Sequence, residues 1–190
     1  MRIAVTGTHC CGKTTLVDEF LRLHPDFNHE PEPYSVLEED YGQMFAAEPS
    51  PEDFFQQLEF NISRLRYYQA GARVIFERSP IDFLAYMLAL YDMRRSEGTR
   101  WLIDRSVDML KDAIQLLDLI VFLPLSEKDG ISMSDSENPE LRSAVDCRLV
   151  SILNDHDFNL LTTDRPLIVE AMGSTAERMR ALESALTESM

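Results

Sequence analysis

Hydrophobic positions fall along this chain in two alternating spacings. Short apolar runs without a polar face occur at Ile3–Val5, Val74–Phe76, Leu119–Leu123 and Leu167–Val169. Strands buried on both faces read this way, as in parallel sheets. Phe27–Glu30 reads as a shorter strand. Between these runs the apolar positions step by three and four. Leu16, Val17, Phe20 and Leu21 mark a helix over Lys13–Leu23, and Phe54, Leu58, Ile62 and Leu65 mark a second. Ile103, Val107, Leu110, Ile114 and Leu117 mark another, and Leu141, Val145, Leu149 and Ile152 one more. Phe83–Met93 is apolar nearly all round, which predicts a buried central helix.

The residues between the runs place the ends. Ser50-Pro51-Glu52-Asp53, Ser79-Pro80-Ile81-Asp82 and Asn138-Pro139-Glu140 each offer a capping side chain, proline at the first helical position and an acid in the first turn. Ser174 and Glu177 have the spacing of a capping box for a terminal helix. Pro31 and Pro33 predict an extended, loop-like path. Strands alternating with helices predict a three-layer α/β/α domain with a parallel sheet, spanning residues 1–190 as one unit. Ile3–Val5 is expected inside the sheet, flanked by Val74–Phe76 and Leu119–Leu123. Ser126–Asn138, rich in Ser, Asp and Gly, is the loose stretch and the expected mobile lid.

Charge narrows the partners. Acidic residues number 33 against 18 basic, a formal net charge of −15, which argues against broad contact with a nucleic-acid backbone. No run reaches the ~18 apolar residues of a membrane span. A strand that starts at Arg2 predicts no signal peptide. Three cysteines, two of them adjacent at Cys10 and Cys11, make no disulfide framework and fit a reducing cytoplasm.

The chemistry enters at Gly7-Thr8-His9-Cys10-Cys11-Gly12-Lys13-Thr14, a full G-x-x-x-x-G-K-[ST] phosphate loop that leaves a strand and opens a helix. Gly7 and Gly12 allow backbone angles closed to other residues. The loop amides and the helix N-terminus then point at a phosphate chain. Lys13 is expected at the β- and γ-phosphates of ATP or GTP, the Thr14 hydroxyl on Mg²⁺, and Thr15 at the α-phosphate. Cys10 and Cys11 read first as small loop fillers, and a redox-sensitive nucleotide site with His9 as a metal ligand is the competing reading. A second acid-tipped strand, Val74-Ile75-Phe76-Glu77, supplies Glu77 as the metal-shell candidate, with Arg78 beside it at the strand's carboxyl end, where ligands bind in open α/β sheets.

The phosphate loop together with Glu77-Arg78-Ser79-Pro80-Ile81-Asp82-Phe83-Leu84-Ala85-Tyr86 resembles the P-loop nucleoside and nucleotide kinase superfamily. The nearest likeness is to the small AAA-type ATPase/kinase group with NadR-like ribosylnicotinamide kinase domains, and deoxynucleoside kinases carry a similar Glu-Arg-Ser signature. The resemblance implies a five-stranded parallel sheet in the order 2-3-1-4-5, a helical lid over about 126–148 and phosphoryl transfer from ATP. It also implies a base after the second strand. His29-Glu30-Pro31-Glu32-Pro33-Tyr34 offers two Glu-Pro pairs there, with Glu32 preferred and Glu30 in reserve. In the lid, Arg142 and Asp146 resemble the Arg-x-x-x-Asp of the NadR-like group, and Arg148 is the competing arginine. Arg142 and Arg148 lie about 240° apart on a helix, so one phosphate is not expected to meet both. Phe54, Phe55, Tyr67 and Tyr68 read as core or as the wall of a nucleoside pocket.

These expectations amount to a cytoplasmic Mg²⁺-dependent kinase acting on a hydroxyl of a small molecule, a nucleoside among the candidates. Lys13, Glu32, Arg78 and Arg142 would be its catalytic residues, and Thr14 and Glu77 would serve the metal. The oligomeric state is left open, a homodimer included. The competing reading is a nucleotide switch that hydrolyses slowly and acts on a protein partner.

Overall fold

The computed structural model describes residues 1–45, 48–93, 99–126, 138–154, 158–161 and 166–188. In chain order the elements are β1 (Arg2–Thr6), α1 (Lys13–Leu23), β2 (Asn28–Glu30), α2 (Pro33–Glu39), α3 (Pro51–Tyr67), β3 (Val74–Glu77), α4 (Pro80–Asp92), α5 (Arg100–Ala113), β4 (Leu119–Phe122), α6 (Pro139–Leu153), β5 (Leu167–Glu170) and α7 (Thr175–Glu188). The five strands form one sheet in the order β2-β3-β1-β4-β5. Every neighbouring pair is parallel, with Ala4 opposite both Phe76 and Ile120.

The apolar runs explain why the sheet has two buried faces. Ile3, Val5, Ile75, Leu119 and Val121 point to α1 and α7, where Leu16, Phe20 and Leu182 meet them. Ala4, Val74, Phe76, Ile120 and Phe122 point the other way, to α3, α4, α5 and α6. Alternate residues of each strand therefore serve opposite layers. α4 is buried at every residue from Pro80 to Leu90, as its unbroken apolar run predicts.

Helix ends follow the expected chemistry. Ser50 and Asp53 close a capping box at α3, and Ser79 with Asp82 close one at α4. Asn138 accepts from Leu141 N–H at 3.0 Å to start α6, and Ser174 with Glu177 cap α7. One expectation is corrected. Pro31 and Pro33 do not carry an extended loop throughout, because Pro33 begins α2. Proline at the first helical position lacks only an N–H that has no partner there, so it starts a helix as readily as it ends one. The helix read from Ile103 starts earlier, at Arg100, and ends in a 3₁₀ turn over Ile114–Leu116. Most of the expected lid, residues 127–137, lies outside the described residues; the α6 that follows it is described.

Candidate active site

The carboxyl ends of β1 and β3 meet at the phosphate loop. Gly7 lies where its backbone crowds its neighbours. A Cβ there would sit 2.6 Å from Cys11 Sγ and 2.9 Å from the Leu123 carbonyl oxygen. Gly12, at φ +90, makes the left-handed step into α1. The Cys11 thiol is buried beneath the loop, whereas Cys10 is exposed at φ +50. The buried Lys13 side chain donates from Nζ to the Thr8 carbonyl at 2.8 Å, so its ammonium lies across the loop it serves. Thr14 and Thr15 are exposed on the first turn of α1.

Glu77 ends β3 opposite Val5, and the Thr14 hydroxyl donates to its Oε1. One hydroxyl and one carboxylate side by side are hard oxygen donors. They suit Mg²⁺, which takes few protein ligands and fills its shell with water and phosphate. Among the described residues no cluster of three His, Cys, Asp or Glu offers a self-contained metal cage.

Arg78 is buried at φ +103, a backbone conformation that costs a non-glycine residue about 1–3 kcal/mol. Its surroundings hold it there. Its N–H extends the ladder to the Val5 carbonyl at 3.1 Å, and Asn61 of α3 donates to its carbonyl at 3.2 Å. The guanidinium donates to the Gly7 carbonyl at 3.1 Å, pairs with Asp82 at 3.4 Å and donates from Nε to Glu32. Burial alone would lower the pKa of Arg78, but the charges of Glu32 and Asp82 outweigh it and keep the group firmly cationic.

The two Glu-Pro pairs separate cleanly. Glu30 turns toward α3, where Arg64 donates to both of its oxygens, from Nε at 2.9 Å and Nη2 at 2.5 Å, and the Tyr68 hydroxyl donates at 2.5 Å. Burial first, then the hydrogen bond to Glu30, pushes the Tyr68 phenol up to about 12. Glu32 turns toward the phosphate loop and Arg78. Burial works to raise its carboxyl, but Arg78, Lys13 and His9 outweigh that and hold it below the usual carboxylate range.

The two arginines of α6 also part ways. Arg142 donates to the loop carbonyls of His9 at 3.1 Å and Cys10 at 2.9 Å, while Arg148 pairs with Asp92 of α4. Asp146 shares the Arg142 face and accepts from Leu125 N–H at 3.0 Å. Burial raises its pKa against the partial relief that this bond and Arg142 provide. Of the four aromatics, Phe54 stacks on Tyr86 at 4.4 Å, Phe55 is buried in the core, Tyr67 is exposed and Tyr68 serves Glu30.

Three residues come to the loop that the sequence pattern did not single out for it. Asp82 caps α4 with Oδ2 and accepts from the Gly7 amide with Oδ1 at 2.9 Å. The Tyr86 hydroxyl accepts from the His9 amide at 2.8 Å. Arg178 of α7, nearly the whole chain away, donates to the Cys11 carbonyl at 2.6 Å from a buried position. Asp82 and Tyr86 stand one turn apart after Arg78, a spacing that signals a shared helix face. Arg178 carries no such signal.

The AAA domain family model matches residues 2–166. No curated protein matches the sequence significantly. Solved structures do match in fold. Deoxyadenosine kinase from M. mycoides with bound dATP aligns at TM-score 0.65 and 17% identity, over 98% of this chain and 100% of that one. NadR protein in complex with NR aligns at 0.62 and 18%, over 98% and 50%. Thymidylate kinase from Candida albicans aligns at 0.61 and 17%, over 98% and 89%.

Proposed function

Because the chain belongs to the AAA domain family, and shares its fold with deoxyadenosine and thymidylate kinases, we propose that it moves the γ-phosphoryl group of ATP to a hydroxyl of a small molecule, with a nucleoside as the first candidate. The observation that carries this reading is Glu32. It is a carboxylate paired with Arg78 at the phosphate loop, close enough to Lys13 and His9 for their charges to act on it.

In this reading one domain does the work. The loop amides and Lys13 hold the donor phosphates. Thr14 and Glu77 would hold Mg²⁺, which would supply neutralising charge for the donor phosphates. Glu32 accepts the proton of the attacking hydroxyl as the new oxygen–phosphorus bond forms and the bond to the β-phosphate oxygen breaks. Its lowered pKa keeps it ionised and ready at neutral pH. Arg78 holds Glu32 in place and adds positive charge beside the moving group. Arg142, which donates to the loop carbonyls of His9 and Cys10, would add charge to that group. Among the described residues no helix is long and apolar enough to cross a membrane.

The test is ADP release from MgATP across a library of nucleosides and other small hydroxyl compounds. A compound that raises release and gains a phosphate supports the transferase reading. Slow release that no compound accelerates would leave the nucleotide-switch reading in its place.

A further inference from the structure

Tyr86 touches three parts of the site at once. It is 4% exposed, inside α4, one turn beyond Asp82. Its hydroxyl accepts from the His9 amide at 2.8 Å and lies 3.0 Å from His9 Nδ1. A phenol has one proton and two lone pairs, so one group can take the amide N–H and also serve the imidazole. Its ring lies under Arg78, whose Cζ is 5.2 Å from the centroid, and stacks on Phe54 at 4.4 Å and 18°. Arg78 in turn holds Glu32. Two phosphate-loop amides are therefore held by side chains one turn apart on α4, Gly7 by Asp82 and His9 by Tyr86.

Asp82 and Tyr86 differ in what else they feel. Asp82 is tied into the α4 cap and Arg78, all of it fixed scaffold. Tyr86 carries Phe54, from the start of α3, on its face, and its ring also lies under Arg78, which holds Glu32. A phenol ring is rigid, so a shift at its face moves the hydroxyl at its tip. The ring is thus a lever between its contacts with Phe54 and the Glu32 partner Arg78 and an amide of the phosphate loop.

We propose that Tyr86 is a positioning residue that couples the acceptor side to the phosphate loop. A ligand that settles the Phe54 face sets the Tyr86 ring, and the Tyr86 hydroxyl sets the His9 amide. Nucleotide grip and acceptor occupancy then reinforce each other. The purpose of this coupling rests on the phosphoryl-transfer reading, but its test does not.

The experiment is a double-mutant cycle on the full chain, read as MgADP affinity by calorimetry. The cycle combines Phe54→Leu with Tyr86→Phe, which keeps the ring and removes only the hydroxyl. Phe54→Leu should weaken MgADP about fivefold when the Tyr86 hydroxyl is present and less than about twofold when it is absent, a non-additivity typical of groups in contact. A merely structural role would lower stability but leave the two effects equal. Equal effects, or no effect in either background, would overturn the proposal. Should Tyr86→Phe fail to fold, the His9 amide gives a second reading in the wild-type background. Phe54→Leu alone should speed its hydrogen exchange about tenfold, as a loosened local contact does. Unchanged exchange there would overturn the coupling. A non-additive cycle in a protein that phosphorylates no hydroxyl compound would sustain the coupling and remove the transferase reading. An additive cycle in an active kinase would do the reverse.

Discussion

In the proposed reading, residues 7–15 make the donor side of the site from one unbroken stretch. The proposed acceptor side would draw Glu32 from the turn before α2, Phe54 from α3, Arg78 from the end of β3 and Tyr86 from α4. The phosphate loop starts from its own glycines and from β1, the central strand of the sheet, and Asp82, Tyr86, Arg142 and Arg178 then hold it. The Glu32, Arg78 and Tyr86 cluster forms only when α3 and α4 pack correctly, since Asn61 holds the Arg78 carbonyl and Phe54 lies on Tyr86. Chemistry that one loop can hold is written in consecutive residues, whereas a group that must face a variable substrate is assembled from several elements. Damage to residues 7–15 should therefore weaken nucleotide binding most, and damage to Glu32 should slow transfer and leave nucleotide in place.

The strongest challenge to that contrast is Lys13→Ala. Removing a preorganised cation from transferring phosphates should lower transfer about 10³-fold and clearly weaken MgATP binding. Calorimetry showing wild-type affinity would remove the loop's assignment as the donor site.

Next in size is the pair Glu32→Gln and Glu30→Gln. A positioned base contributes roughly 10²–10⁴-fold, so Glu32→Gln should slow single-turnover transfer within that range and spare nucleotide affinity. Glu30→Gln breaks the partly buried pairing with Arg64 and should lower the melting temperature while transfer falls less than about tenfold. The opposite pattern would mean that Glu30 holds the catalytic position.

Arg142 and Arg148 sharpen the comparison on one helix. Arg142→Ala removes the contact to the loop carbonyls of His9 and Cys10 and should slow transfer about 10-fold to 100-fold. Arg148→Ala removes a partly exposed pair with Asp92 and should stay within about twofold of wild type. Equal losses would show that neither contact distinguishes the two.

The smallest effect is one of pH. The folded Glu32 pKa lies below its ordinary value, so the pairing with Arg78 adds stability above the unfolded carboxylate range and loses it as pH falls through the lowered pKa. The acid limb of transfer should follow that lowered value. Arg78→Gln removes the main opposing charge, so the limb should move to higher pH. An unmoved limb in Arg78→Gln, measured with nucleotide saturating, would separate Arg78 from the titration of Glu32.

Much of the fold was legible because its signals are local. Apolar runs without alternation at Ile3–Val5, Val74–Phe76 and Leu119–Leu123 place three strands in the sheet interior, since only burial on both faces tolerates such runs. The caps at Ser50, Ser79, Asn138 and Ser174 mark helix starts because their side chains bond to amides within three residues. The α2 start at Pro33 was not legible, because a proline serves a loop and a first helical turn equally well.

What the chain alone determined is the phosphate loop, the acid at the end of β3 and the order in which strands and helices alternate, all contained in stretches of a few residues. The partners of Glu30 and Glu32 were decided by tertiary structure. Two residues apart around a proline, the two carboxylates face Arg64 and Arg78, which come from different elements. The partners of Gly7, His9 and Cys11 were decided the same way, since Asp82, Tyr86 and Arg178 lie 75, 77 and 167 residues away along the chain. Spacing and hydrophobic period describe one element at a time. A hydrogen bond across elements depends on the distances that only packing of the two layers onto the sheet sets.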